Sequence, residues 1–151
     1  MSRSEKVTLT NMCMLYDEKG NVLVQNRVNP DWPGITFPGG HVEPLESFAD
    51  SVVREMQEET GLTVINPRLC GVKDWIIDEN SRYIVLLYKS NEFSGDLISS
   101  KEGEMMWVSE DKIKELPLAN DMEELLDVFF SDNHSEQFFE KTETGYKVRI
   151  I

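Results

Sequence analysis

The sequence predicts an α/β layered domain, and three observations carry that prediction. Apolar extended stretches flank one amphipathic helical segment. A second helical segment stands near the end of the chain. Arg82-Tyr83-Ile84-Val85-Leu86-Leu87-Tyr88 is a nearly unbroken apolar run. Strands interleaved with helices pack as layers, and such a run suits a central strand covered on both faces. With 151 residues and 40% hydrophobic content, the chain can bury a sizeable core. Residues 1–151 are expected to form a single domain, with 131–151 as a C-terminal hairpin extension.

Val7 to Tyr16 reads as a long, largely apolar strand, Asp17 to Asn21 as a turn, and Val22 to Asn26 as the returning strand of a hairpin. Residues 27 to 33 are polar and broken by proline, and Ile35-Thr36-Phe37 leads into Pro38-Gly39-Gly40-His41, a glycine-rich turn through which backbone can approach a ligand. A helix follows. Ser47 stands where an N-cap is needed, Asp50 is placed to reach back in a capping box, and Gly61 is a natural stop after Thr60. Ala49, Val52, Val53, Met56 and Thr60 gather on the face this helix would bury.

A β region runs from Leu62 through Ile77, broken at Asn66-Pro67, and Asp78 to Ser81 turns the chain into the apolar run at 82–88. Glu92 to Glu102 reads as a polar loop, Met105 to Val108 as a strand, and Ser109 as the cap of a short helix at Glu110–Glu115. Asp121 starts a helix through Phe130, with Met122, Leu125, Leu126 and Phe129 on one face. Residues 137–140 and 146–150 are expected to pair as a hairpin around Thr144-Gly145.

Acidic residues outnumber basic ones 28 to 15, a net charge of −13. That argues against long DNA or RNA as a partner, since both need a basic footprint. It leaves small nucleotides open, because cations can bridge a polyphosphate to an acidic site. No apolar run reaches the length of a membrane span, and the segment Met1-Ser2-Arg3-Ser4-Glu5-Lys6 lacks the apolar stretch of a signal peptide. A cytoplasmic place is the expectation, without membrane contact, as a monomer or homodimer. Cys13 and Cys70 form no metal-binding or redox spacing and read as buried free thiols.

The chemistry centres on Arg54-Glu55-Met56-Gln57-Glu58-Glu59. Glu55, Glu58 and Glu59 stand at i, i+3 and i+4, which on a helix gathers three carboxylates on one patch. Like charges at that spacing oppose the helix by a few tenths of a kcal/mol per pair. A hard divalent cation reverses the sign of that effect, because it takes oxygen ligands. Glutamates at helical spacing also form ordinary solvated faces.

What precedes and follows these acids turns the balance. Gly40, five residues, Glu46, seven residues, then Arg54-Glu55-Met56-Gln57-Glu58-Glu59-Thr60-Gly61-Leu62 resembles the Nudix hydrolase signature, G-x5-E-x7-R-E-U-x-E-E-x-G-U, at all nine defined positions. The resemblance implies a Nudix fold, a mixed β-sheet sandwiched between α-helices. It implies hydrolysis of a phosphoanhydride with Mg²⁺, or Mn²⁺ as substitute, held by Glu55, Glu58, Glu59 and the carbonyl of Gly39. Arg54 would position a catalytic carboxylate. Glu46 would pair with Arg54 or sit near a metal through water. The proton-accepting base is Glu58, Glu59 or a later acid. Glu104 occupies the place of that later acid in the MutT-like branch, although a loop glutamate in water is the plainer reading of that residue alone.

The same resemblance suggests a substrate. Pro117-Leu118-Ala119-Asn120-Asp121 is similar to the segment with which MutT-type 8-oxo-dGTP diphosphatases offer an asparagine to the purine edge. Asn120 is thus the base-recognition candidate. Asn also favours turns and helix caps, and the two readings stand level. Arg27 is a candidate for phosphate or base, Trp32 and Phe37 for stacking, and Gly40 for close backbone approach. For each, a surface or core place is the competing reading. His41 is expected to be structural or to touch phosphate.

The expected activity is therefore conversion of 8-oxo-dGTP to 8-oxo-dGMP and pyrophosphate, which would sanitise the nucleotide pool and support DNA repair. One alternative is a Nudix pyrophosphatase for another nucleoside diphosphate derivative, such as a nucleotide sugar, dihydroneopterin triphosphate or an RNA 5′ end. Another is a non-catalytic nucleotide-binding module. Such a module would be expected to lose acids from the signature, and this chain keeps them all. The loop between Arg27 and Phe37 departs in length from the MutT pattern, and residues after Ser131 lie outside the resemblance.

Overall fold

The structure, a computed structural model, describes residues 3–151; Met1 and Ser2 of the polar N-terminal segment lie outside it. Eleven strands, two α-helices and one 3-10 turn follow in chain order among the described residues. The main sheet holds β1 (Lys6–Leu15), β4 (Gly39–His41), β6 (Arg68–Asp78), β7 (Ser81–Ser90), β10 (Glu136–Thr142) and β11 (Gly145–Ile150), in the order β11-β10-β6-β7-β1-β4. It is mixed, since β1 runs parallel to β7, and β10 parallel to β6, while β4 and β7 run antiparallel to their neighbours β1 and β6. A second sheet, β3-β2-β9, joins Gly34–Thr36, Asn21–Arg27 and Gly103–Ser109, and β5 (Thr63–Ile65) pairs with β8 (Glu92–Ser94).

The alternating side chains of the main sheet feed two cores. Met12, Met14, Val85 and Leu87 face one side, packed with the second sheet and with α2 (Met122–Phe130) through Leu125, Leu126 and Phe129. Cys13, Leu15, Leu86 and Tyr88 face the other, packed with α1 (Phe48–Thr60) through Val52 and Met56. The expected layered α/β sandwich is thereby present. The apolar run at 82–88 forms the middle of β7, between β6 and β1, and Val85 to Tyr88 are buried there because the strand is covered on both faces.

Several local expectations change. On α1 the buried positions are Ser51, Val52, Met56 and Thr60, while Ala49 is exposed. Ser51 takes that place because its hydroxyl accepts a hydrogen bond from the Asn11 amide at 2.9 Å, tying the helix to β1. The Ser47 Oγ accepts from the Asp50 N–H at 3.0 Å, and the reciprocal bond of a capping box is not made among the described residues. Gly61 closes α1 at φ 78, a conformation cheap only for glycine. The loop expected from Glu92 contains β8, because it borders β5. Cys13 is buried and Cys70 half-buried, both free. The tail forms the hairpin β10–β11, which extends the main sheet beyond β6. No helix among the described residues is long and apolar enough to cross a membrane.

Candidate active site

Arg54 is the hub of the acidic end. Its Nε and Nη2 donate to Glu46 Oε2 and Oε1 at 2.7 and 2.9 Å, a two-pronged fork. Its Nη1 donates to Glu55 Oε1 at 2.9 Å and to Glu58 Oε2 at 3.3 Å, and Nη2 also reaches the His41 carbonyl at 2.9 Å. Only a planar guanidinium presents donors along two edges at once. The fork holds the Glu46 carboxyl far below the usual carboxylate range, at about 2, with help from the Glu43 N–H. Of the two readings open for Glu46, the structure displays the pairing with Arg54.

The Gly39-Gly40 strand is pressed against α1. Gly40 N–H donates to Asn11 Oδ1 at 3.1 Å, and any side chain at Gly40 would run into the Glu55 carboxylate. The glycine is there to let that carboxylate lie against backbone. Glu55 is accordingly sheltered, while the Glu58 side chain is 57% exposed. Glu59 Oε2 accepts from the Ser100 hydroxyl at 2.6 Å, and the same hydroxyl accepts from the Glu102 N–H at 3.2 Å.

That last contact changes the later acid. Glu104 lies exposed on β9 opposite Asn26 and makes no side-chain hydrogen bond to the α1 acids among the described residues. Glu102, in the turn just before β9, is the acid linked to Glu59, its backbone N–H donating to the Ser100 hydroxyl that in turn donates to Glu59. Its carboxyl is pushed above the ordinary range by burial and then by the negative charge of Glu59, with Arg27 opposing. The departure comes from the Ser100–Gly103 turn, which curls Glu102 back over the helix. Sequence offered two acids two residues apart and nothing to choose between them.

No three His, Cys, Asp or Glu side chains among the described residues converge as a preformed metal centre. The donor set nevertheless suits a hard cation. Glu55, Glu58, Glu59 and Glu102 are all oxygen donors, the atoms such a cation takes.

Beside these acids opens a cavity of about 720 Å³. Gly39, Gly40, His41 and Glu102 form one end of its lining. Arg27 and Trp32 lie along it, with Arg27 Nε donating to the Trp32 carbonyl at 3.1 Å. Phe37 contributes to the wall but is 2% exposed and packed edge-on against Phe129, so it is floor rather than a stacking face. The candidates Arg27, Trp32, Phe37, Gly39 and Gly40 are thus brought together around one space.

Asn120 is not. It is exposed, its carbonyl accepts from the Trp32 indole N–H at 2.9 Å, and the residue lining the cavity is its neighbour Asp121. Asp121 adopts φ 66 at the start of α2 and makes no capping bond with its side chain. The far end is completed by Lys73, Trp75 and Phe139, from strands that sequence reasoning treated as scaffold. Burial pulls the Lys73 ammonium down to about 8, partly offset by Asp121. Strand alternation would have put Lys73 and Trp75 on one face, but not which face or against what.

Comparison with known proteins agrees with this fold. The NUDIX domain family profile matches residues 7–129. The uncharacterized Nudix hydrolase YvcI of Bacillus subtilis (strain 168) is 35% identical over 116 residues, which cover 74% of this chain and 71% of that protein. The crystal structure of a mutator MutT protein from Bacillus halodurans superposes with a TM-score of 0.75 at 30% identity, covering 95% of this chain and 97% of that one. The NUDIX domain of Shewanella oneidensis NrtR, crystallised with ADP ribose, shares the fold at a TM-score of 0.65 and 18% identity, over 85% of this chain and 88% of that one.

Proposed function

Because the chain belongs to the Nudix family as a MutT-like hydrolase, we propose that it cleaves the phosphoanhydride of a nucleoside triphosphate, with 8-oxo-dGTP as the leading substrate and 8-oxo-dGMP and pyrophosphate as products. One observation carries the reading. Arg54 binds Glu46, Glu55 and Glu58 in a single clamp, beside Glu59, at the end of a cavity large enough for a nucleoside. Glu55, Glu58, Glu59, the Gly39 carbonyl and Glu102, in the role first given to Glu104, are the ligands we assign to Mg²⁺ or Mn²⁺. Such an ion supplies positive charge against the phosphoryl oxygens.

The chain's own residues do the rest. Arg54 fixes the rotamers of Glu55 and Glu58, so that carboxylate oxygens are in place before substrate arrives. Glu58, the most exposed of the three, is free on one side to take the proton of an attacking water. Arg27 reaches toward the phosphates or the base from β2, and Trp32 flanks the nucleoside. The net charge of −13 supports a small nucleotide rather than a long nucleic acid.

The absence of the Asn120 side chain from the cavity lining favours a second reading. In it the same acids act on another nucleoside diphosphate derivative, and the ADP ribose of the NrtR domain keeps nucleotide sugars in view. A turnover screen of about twenty nucleotides with Mg²⁺ and pyrophosphate detection separates the two. Pyrophosphate and monophosphate from 8-oxo-dGTP support the first; other products from a diphosphate derivative support the second. Glu58→Gln is expected to lower kcat by roughly 10²–10³-fold in either case. Full pyrophosphate release by that variant would sink the mechanism.

A further inference from the structure

Lys73 sits on the wall of the cavity at 7% exposure, and its ammonium makes no hydrogen bond or ion pair among the described residues. It lies instead over the rings of Trp32, Phe139 and Trp75, at 4.6, 5.5 and 5.9 Å from their centroids. Trp75 is stacked on Tyr83 at 4.4 Å and meets Phe139 edge-on, so the box is rigid. Ring faces recover part of the cost of desolvating an ammonium. They offer its three N–H donors no acceptor, and the cavity that Lys73 lines is where a ligand could supply one.

Asp121 borders the same space. Its backbone is held in the left-handed region, where a non-glycine residue is strained, and its carboxylate does not cap α2. The Asp121 carbonyl accepts from Gln137 Nε2 at 2.9 Å, which anchors the turn to β10. The pair is near enough for Asp121 to favour the charged lysine, yet too far apart to form an ion pair. A donor and an acceptor thus border one cavity without satisfying each other.

Their distance from the acids suits a nucleotide. His41, Thr10, Val85 and Lys73 form one row across β4, β1, β7 and β6. Three strand spacings make that row roughly 14 Å long, comparable to an extended nucleotide. Resting on the reading that the nucleoside enters this cavity, we propose that Lys73 and Asp121 are its base-reading edge, selecting a planar base that carries an exocyclic oxygen next to a ring N–H. Lys73 donates to the oxygen and Asp121 accepts from the N–H. A base with an exocyclic amino group at that position sets donor against donor and is rejected.

The test compares pairs differing only at that edge, in the exocyclic group and the adjoining ring nitrogen: ITP with ATP, and dUTP with dCTP, each with Mg²⁺. The wild-type protein is expected to favour the oxo member of each pair by roughly 10- to 100-fold in kcat/KM, expressed in KM. Lys73→Met, which keeps the unbranched stem, is expected to bring the ratio to within about threefold of unity, and Lys73→Arg to restore part of it. Equal rates for the two members in the wild type overturn the proposal, as does a Lys73→Met protein that melts normally and slows both members alike. If Lys73→Met fails to fold, Asp121→Asn must lower the oxo preference, and an unchanged ratio overturns it. Binding of IMP and AMP without metal gives the same comparison independently of turnover. If no nucleotide is hydrolysed but IMP binds more tightly, the hydrolytic reading fails and the base-reading edge stands. If nucleotides are hydrolysed but neither ratio depends on Lys73, the reverse holds.

Discussion

The two ends of the cavity are built on opposite plans. The acidic end comes almost wholly from one stretch, Gly39 to Glu59, with Glu102 and Ser100 added from a single turn. The aromatic end takes Trp32, Lys73, Trp75, Asp121 and Phe139 from four separate parts of the chain. At the first, charges sit in fixed helical register and one arginine reconciles them. At the second, the residues come from elements far apart in the chain, and the pairing of β10 with β6 helps bring them together. The contrast is functional as well. On the proposed reading, the groups assigned to stabilise charge are cross-linked through Arg54, whereas Lys73 and Asp121, assigned to face the base, do not pair with each other.

That comparison can be broken at either end. The largest effect among variants of the supporting residues is expected for Arg54→Lys. An ammonium is a single point of charge and cannot hold Glu46, Glu55 and Glu58 together, so kcat should fall about 50-fold with KM little changed. Steady-state kinetics with Mg²⁺ measures this, and a change confined to KM would show that Arg54 touches substrate instead. Trp32→Leu attacks the other end. It removes a ring that lines the cavity and, on the proposed reading, should raise KM about tenfold while sparing kcat. A drop in kcat alone would place Trp32 with the acids.

A smaller effect sharpens the contrast within one strand. Lys73 faces the cavity, and the next residue, Asp74, faces the other side of β6, bonded to Arg82 at 3.1 Å. Burial first, and then its neighbour Glu136, push the Asp74 carboxyl up to about 7. A carboxyl raised on folding binds its proton more tightly in the native state. Its stabilising contribution is therefore complete below about pH 4 and is lost as pH rises toward 7. Asp74→Asn, which mimics the protonated form, should be more stable than the wild type at pH 8 by on the order of 1 kcal/mol. The difference should shrink or reverse near pH 4. Thermal melts across that range would show it, and a constant offset would rule out titration of Asp74 as the cause.

Sequence reading succeeded where one element holds the information. The spacing of Glu55, Glu58 and Glu59, the cap at Ser47 and the stop at Gly61 all depend on helical geometry within thirteen residues, and geometry of that range is written in spacing. The hairpin at Thr144-Gly145 was legible for the same reason. It erred where the outcome depended on what a residue meets across space. Glu102 rather than Glu104 approaches Glu59 because Ser100 bends the turn. Asp121 rather than Asn120 lines the cavity because its backbone takes a left-handed conformation at the helix start. Nothing in either local sequence distinguishes the alternatives.

The sequence by itself determined the acidic helix, its family and the alternation of strands that makes a layered sandwich, since side-chain periodicity and capping act within a few residues. Only the tertiary structure decided which donor and acceptor border the far end of the cavity. Lys73 and Asp121 are 48 residues apart in the chain, and the parallel pairing of β1 with β7, with β6 alongside, sets the wall that Lys73 stands on. Strand pairing over such separations is fixed by the packing of the whole core.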